Sequence, residues 1–518
     1  LNIRFLSKRP FTNTIDRAVR LTELKNRFSS HKEATKYIKH SQLLIDGKFV
    51  NSASGKTFPT VNPATEETLC NVQEGDSEDI NRAAVAAKRA LEQGSWSKMT
   101  GFERGKILNR IADLVGQNRE ELAILDALDN GKPFTIADEV DVQFTIDVLR
   151  YYAGWADKFT GKITQHSKIK DSFCYTINEP VGVVGAIVPW NYPITMASWK
   201  IAPCLSMGNT MIVKPAEQTP LSLLRFGELA LEAGLPEGVL NIVPGFGPTA
   251  GAALTKHPLV DKVAFTGSTE VGLEIMRTAH QHRLKRITLE LGGKSPNIIL
   301  NDADLELALE QATSALFFNN GQNCIAGSRT FVQEGIYDSF CSRLSDIASK
   351  QKLGDPFDHD SEQGPLIDKP LLDKYNKYVS LGKKEGASLL TGGEVLNRKG
   401  YFAKPTVFTD VTDTMSIAEN EIFGPVMSVL KFSSLNEVIE RANNTQYGLG
   451  AGVVGSDINK VNYLIRKLKV GLVYVNSYNV EDVGTSFGGF KNSGIGRELG
   501  ENGLNQYVEP KTVIIRNY

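Results

Sequence analysis

The chain has 518 residues, 41% hydrophobic and 23% charged, the balance of a globular protein with a large core. At about 150 residues per domain, that length suggests roughly two to four domains. Its 58 Lys and Arg against 59 Asp and Glu leave a net charge of −1, which removes the electrostatic footprint of a nucleic-acid binder.

The longest apolar stretch, 181–190, is far short of the ~18 residues a membrane span requires. The five cysteines, Cys70, Cys174, Cys204, Cys324 and Cys341, form no CxxC pair and no disulfide ladder, which implies a reducing compartment. No histidine pair has metal-binding spacing, so no dedicated metal site is expected.

Residues 1–40 hold ten Lys and Arg against Asp16, Glu23 and Glu33. The opening LNIRFLSKRPFTNT is basic and hydroxyl-rich, with the composition of a mitochondrial transit peptide. A solvated basic tail would have the same composition. Segment 162–180 alternates without a helical period and predicts a β-hairpin between larger units. From 181 onward, short β-branched runs at 181–188, 210–213, 239–243 and 262–265 alternate with helical patterns at 219–233, 249–256 and 268–280. This is the pattern of parallel βαβ units with both sheet faces covered.

A second α/β series begins with a strand at 296–300. Asn301 or Asp302 can cap the next helix, and Asp304 and Glu306 suit its N-terminal dipole end. Leu305, Ala308, Leu309, Ala312 and Leu316 share one face, and Asn319-Asn320-Gly321 is the stop signal. Cys324 then falls in a loop before a strand at 330–332.

Four features can carry chemistry. A lone cysteine is usually a small buried hydrophobe. Cys324, in GQNC, differs because it lies in a polar, Gly-flanked loop, where reactive groups are presented. No histidine is near it in sequence, so a cysteine-protease arrangement has little support. Glu290, in LELGGK, ends an apolar run; partial desolvation would raise its pKa toward general-base work. It would equally serve to cap a turn or pair with Lys294. Asn191, in PWNYP, is restrained by two prolines and can donate to an oxyanion, or simply make a turn. The turns GFGPTAG (245–251) and FTGSTEVG (265–272) each follow a strand and open a helix, which suits a pyrophosphate; a plain turn fits as well. Glu217, in KPAEQTP, can bind ribose hydroxyls or remain a surface carboxylate.

Together, PWNYP, KPAEQTP, FTGSTEVG, LELGGKSP, GQNCIAGSR, EIFGPV and FGGFKNSGIGRELG resemble the aldehyde dehydrogenase superfamily in order and spacing, from about residue 42 to the C-terminus. The resemblance is nearest to the tetrameric, NAD-using group of mitochondrial and cytosolic enzymes. It implies an α/β fold: a Rossmann-like NAD-binding domain over 41–161 and 181–292, and an α/β catalytic domain over 293–495. A small β oligomerisation arm would take 162–180 and 496–518, behind an extension at 1–40. It makes Cys324 the nucleophile, Glu290 the base, and Asn191 with the Cys324 amide the oxyanion hole. Lys214 and Glu217 would hold the adenosine ribose, with Val188, Gly247, Gly251, Thr266, Gly267, Val271 and Leu291 around the cofactor. Trp190 and Ser268 would follow the pyrophosphate, Glu421 the nicotinamide ribose and Phe423 the nicotinamide. Lys200 and Glu498 match a proton-relay pair, and Ile146, Tyr192, Met196, Trp199, Phe318, Ile325 and Phe487 match pocket walls.

The implied activity is NAD-dependent oxidation of an aldehyde to a carboxylic acid, by a homotetramer in the mitochondrial matrix or the cytoplasm. Two departures bear on substrate. Asn323 and Ile325 flank the nucleophile where relatives often carry extra cysteines, and the 476–484 loop brings Asn479 and Glu481 where acetaldehyde enzymes are aromatic. The latter keeps aminoaldehyde or betaine-aldehyde-type substrates open. A CoA-acylating enzyme would not need Glu290, and a non-catalytic recruit of the fold would have no use for Cys324 and Glu290.

Overall fold

The computed structural model describes residues 31–168, 172–358 and 360–516. Most of the basic extension expected over 1–40 lies outside them. Its last ten residues belong to the folded body. His31 bonds Asn62 at 2.7 Å and Asp355 at 2.5 Å, and His40 stacks on Phe49 with ring centroids 3.6 Å apart.

An eight-stranded sheet carries five parallel strands in the spatial order Arg286–Glu290, Lys262–Thr266, Val183–Ile187, Thr210–Lys214, Leu240–Ile242. The middle three are buried along their whole length, which is why they read as continuous β-branched runs. The order reverses between Val183–Ile187 and Lys262–Thr266. A crevice at the C-terminal ends of strands beside such a reversal is where open α/β sheets bind ligands. Leu43–Ile45 and Lys48–Val50 complete one edge and Gly494–Ile495 the other.

A seven-stranded sheet follows, in the order Ser388–Thr391, Thr406–Thr409, Val426–Phe432, Arg329–Gln333, Pro296–Ile299, Gly450–Val454, Leu472–Val475. All neighbours are parallel except the first pair. The linker 291–295 joins the C-terminal end of a first-sheet strand to the N-terminal end of a second-sheet strand, placing the seam between them.

Several expected boundaries move. The helix Leu305–Phe317 is capped by Asp304, whose side chain accepts the Leu307 amide at 2.9 Å, not by Asn301 or Asp302. Those two tie neighbouring loops instead: Asn301 accepts from the Gly335 amide, and Asp302 from the Asp457 amide. The helical pattern at 249–256 starts earlier, with a π-turn at Gly247–Gly251 before Ala252–Lys256.

Part of the 496–518 segment packs on the main body. Gly494–Ile495 pairs with Arg286–Glu290, and Leu499, Leu504 and Tyr507 pack into the main core. The terminal strand Val508–Arg516 pairs antiparallel with Ser172–Pro180 of the same chain, Thr512 opposite Thr176, and Ile163–Thr164 covers the other edge of Ser172–Pro180. One edge of the terminal strand is therefore satisfied within the chain. The small sheet exposes Ile163 (76%), Phe173 (46%) and Ile514 (57%). Among the described residues, no helix is long and apolar enough to cross a membrane, and no group of three His, Cys, Asp or Glu could hold a metal.

Candidate active site

The strand Val183–Ile187 runs out into Pro189-Trp190-Asn191-Tyr192, and Pro193 opens the helix Pro193–Ser206 as its first residue. This turn is clamped by side chains. Asn130 Nδ2 donates to the Trp190 carbonyl at 2.6 Å, and Lys132 Nζ to the Asn191 carbonyl at 3.0 Å. Asn191 is buried, and its Nδ2 donates to the Gln322 carbonyl at 2.9 Å.

Cys324 follows a turn that only certain residues can make. Asn319, Asn320 and Gly321 have φ of 52°, 57° and 71°, three left-handed residues in a row. Asparagine and glycine tolerate that region best. Asn320 Nδ2 fastens the turn to the Gly364 and Pro365 carbonyls at 2.8 and 2.9 Å, and Gln322 Oε1 accepts the Ile367 amide at 2.9 Å.

Glu290 ends the strand Arg286–Glu290, at the seam. It is 5% exposed, and its Oε2 has no hydrogen-bond partner. The alternative pairing with Lys294 does not occur; Lys294 Nζ donates to the Ile417 carbonyl at 2.7 Å. Burial drives the Glu290 pKa well above its ordinary value, and the Glu498 carboxylate adds to this against Lys200 and Arg497. Lys200 Nζ bonds both Glu498 Oε1 and Thr266 Oγ1 at 2.7 Å. The Cys324 thiol is also pushed up, first by burial, then by the Glu421, Glu290 and Glu481 carboxylates.

Cys324, Glu290 and Asn191 line one cavity of about 790 Å³. Trp190, Thr266, Gly267, Ser268, Leu291, Glu421 and Phe423 line it too, as do Lys374 and Glu498. So do Tyr192, Met196, Trp199, Phe318, Ile325 and Phe487 among the expected walls, Trp199 standing 5.0 Å from Phe487 centroid to centroid. Phe423 meets Trp190 edge-on at 5.3 Å.

Some expected residues stand elsewhere. Lys214, Glu217 and Gly251 form a neighbouring cluster outside the cavity wall, with Lys214 Nζ 3.3 Å from Glu217 Oε2 and the Gly251 position packed beside the Lys214 stem. Gly247 lies at the start of the same π-turn as Gly251. Val188 is buried, its amide donating to the Lys214 carbonyl, and the Val271 side chain is solvent-exposed while its amide donates to Ser268 Oγ.

Ile146 does not reach the cavity. It packs toward Gly116, while Gln143, Phe144 and Asp147 of the same helix line the wall. A π-turn at Ala137–Val142 precedes that helix and shifts its phase, so an α-helical period cannot identify the inward face. Glu310, Gln311 and Ser314 were also missed; they are polar positions of Leu305–Phe317, whose apolar face was the readable one.

In the acidic loop, Glu481 lines the cavity and its Oε1 accepts from Tyr474 Oη at 2.6 Å. Asn479 bridges the Ser314 carbonyl and Asn323 Nδ2. Asp482 is exposed and accepts the Gly484 amide.

A parallel sheet with a strand-order reversal, joined at its carboxyl edge to a second α/β layer that presents a cysteine, defines an enzyme of the dinucleotide-binding type. The chain belongs to the aldehyde dehydrogenase family, which matches residues 49–513. It is 54% identical over 477 residues to the human mitochondrial aldehyde dehydrogenase, covering 92% of each chain. An aldehyde dehydrogenase from Bacillus cereus, solved as its NAD+ complex, is 51% identical with a TM-score of 0.91, covering 93% of this chain and 98% of that one. Betaine aldehyde dehydrogenase from Staphylococcus aureus, solved with NAD+, is 42% identical with a TM-score of 0.91, covering 94% and 97%.

The buried Glu290 carboxyl should hold its proton well above the ordinary value of about 4.3. Infrared difference spectra of wild type against Glu290→Gln should show a protonated-carboxyl band that persists above that range and disappears as pH rises. A band lost at an ordinary carboxylate pKa would contradict the burial.

Proposed function

We propose that this chain oxidises aldehydes to carboxylic acids with NAD, using Cys324 as nucleophile, Glu290 as base, and Asn191 with the Cys324 amide as oxyanion donors. The observation that carries this is the convergence of Cys324, Asn191 and an unpartnered, buried Glu290 oxygen on one cavity at the seam.

The residues suit NAD. Ser268 caps the helix Thr269–Thr278, whose N-terminal amides favour a pyrophosphate. A side chain at Gly247 would meet nothing within 4 Å, so that surface is open to a ligand. Glu217 and Glu421 would take the ribose hydroxyls; the Gly293 amide donates to Glu421 at 3.0 Å, which supports the reading for Glu421. Bound NAD supplies the acceptor for the hydride that the substrate carbon gives up.

The chain's own part is as follows. Cys324 Sγ gives its proton to water and bonds to the carbonyl carbon, whose π pair moves onto oxygen, forming the hemithioacetal anion. Asn191 and the Cys324 amide hold the oxygen as it becomes anionic, worth about 3 kcal/mol per donor. Loss of hydride leaves a thioester on Sγ. Glu290 takes a proton from water, whose oxygen attacks the thioester carbon; the carbon–sulfur bond breaks and the acid departs. Lys200 and Glu498 stand behind Glu290 to pass its proton on. Glu290 works as a base only when ionised, so its raised pKa sets an acid limb on turnover: activity falls as pH drops through that pKa.

The enzyme is proposed to be mitochondrial and tetrameric. The basic composition of 1–40 and the name of the human relative support the first, and the apolar face of the small sheet supports the second. An aldehyde panel scored for NADH should give turnover without CoA, unchanged by adding it, and Cys324→Ala should abolish it. NADH formation that required CoA, or that survived Cys324→Ala, would overturn the proposal.

Glu481 favours a second reading, a preference for cationic aminoaldehydes. It is the wall carboxylate of the acidic loop, and its anion would attract a substrate ammonium. Glu481→Phe should lower kcat/KM for an aminoaldehyde ~tenfold, about 1.4 kcal/mol, and leave a neutral aldehyde of equal length unchanged. Burial raises the Glu481 pKa, so the wild-type preference should grow with pH. An equal response of both substrates would contradict this reading.

A further inference from the structure

Lys132 is an unusual residue to find where it is. Its ammonium is buried, forms an ion pair with the equally buried Asp141, and stands 3.9 Å over the Tyr192 ring. Buried ion pairs are poor devices for stability, because desolvation offsets most of their attraction. The surroundings add to the cost. Asp126 and Asp129 are buried in the same region with Lys132 as the cation acting on Asp126, and burial together with Asp141 pushes the Asp126 carboxyl up to about 7.

The third contact of the ammonium explains its retention. Lys132 Nζ donates to the main-chain carbonyl of Asn191 at 3.0 Å, and Asn319 Nδ2 donates to the same oxygen at 3.2 Å. The side-chain end of Asn191 is tied separately, one Nδ2 hydrogen going to the Gln322 carbonyl. An amide nitrogen carries two hydrogens, so one remains to donate. The two ties come from different elements: one from the loop after Arg119–Asp129, the other from the loop that carries Cys324.

We propose that Lys132, paired with Asp141, is a positioning residue that fixes the Asn191 main chain so that its free amide hydrogen points at the oxyanion. This rests on the oxyanion role proposed above for Asn191. Turnover is then sensitive to Lys132 only through Asn191, which a double-mutant cycle can read.

Asn191→Ala, Lys132→Met and the double variant should be compared as full-length enzyme with saturating NAD. Asn191→Ala should lower kcat by about 10²–10³. Lys132→Met should lower kcat at least about tenfold with KM for NAD unchanged, and the double variant should be no slower than Asn191→Ala alone. Effects that multiply would overturn the positioning role and leave the oxyanion role standing. An Asn191→Ala enzyme with unimpaired kcat would overturn both. If Lys132→Met does not fold, Lys132→Arg carries the same cycle: it keeps the charge, displaces the donor, and should give a smaller kcat loss that again vanishes on Asn191→Ala. A Lys132→Arg loss that multiplied with Asn191→Ala would be equally decisive against it.

Discussion

The close passage of the linker 291–295 between two loops is the constraint on which the site depends. A side chain at Gly293 would place its first carbon 2.4 Å from the Cys324 carbonyl oxygen, and one at Gly292 would sit 2.4 Å from Glu421 Oε2. Neither distance is possible for a real Cβ. The two glycines therefore let the end of the first sheet lie directly against the cysteine loop. They also bring the Gly293 amide to Glu421 at 3.0 Å.

That geometry has an electrostatic cost. Glu290, Glu421 and Glu481 all act on one half-buried thiol, and each raises its pKa. Glu290 and Glu421 are themselves raised, chiefly by burial. Both the thiol and the base therefore hold their protons more tightly than they would in water. Two cations pair with groups of the site. Lys200 lies behind Glu290 through Glu498, and Lys132 lies behind Asn191.

The fold was legible where periodicity is local. The buried strands announced themselves as β-branched runs, and the turn Asn319-Asn320-Gly321 as a helix stop. The places of Cys324, Glu290 and Asn191 at or just beyond the ends of elements were legible, while their roles came from the resemblance and not from the pattern. What failed was what depends on distant partners or on phase. Asp304, rather than Asn301 or Asp302, caps its helix because the other two are recruited by loops more than thirty residues away. Ile146 was expected at the pocket from the resemblance alone; Gln143, Phe144 and Asp147 of its helix line the wall instead, and the π-turn before that helix leaves no trace in the hydrophobic pattern. Lys132 carried no signal, since its partners are nine residues away at Asp141 and 59 away at Asn191. The resemblance put the terminal strand in one arm with 162–180, and its register against Ser172–Pro180 is set by partners more than 300 residues away.

The division of labour between Cys324 and Glu290 is most directly tested by a single-turnover experiment on Glu290→Gln. The substitution nearly conserves volume and removes only the base that activates water. A rapid burst of about one NADH per active site should appear, followed by turnover slowed about 10²–10⁴-fold, with mass spectrometry locating an acyl group on the Cys324 peptide. A slowed burst that recovers as pH rises toward the raised thiol pKa would add deprotonation of Cys324 to the role of Glu290. Steady-state turnover of Glu290→Gln equal to wild type, with no acyl adduct, would contradict the assignment of both residues.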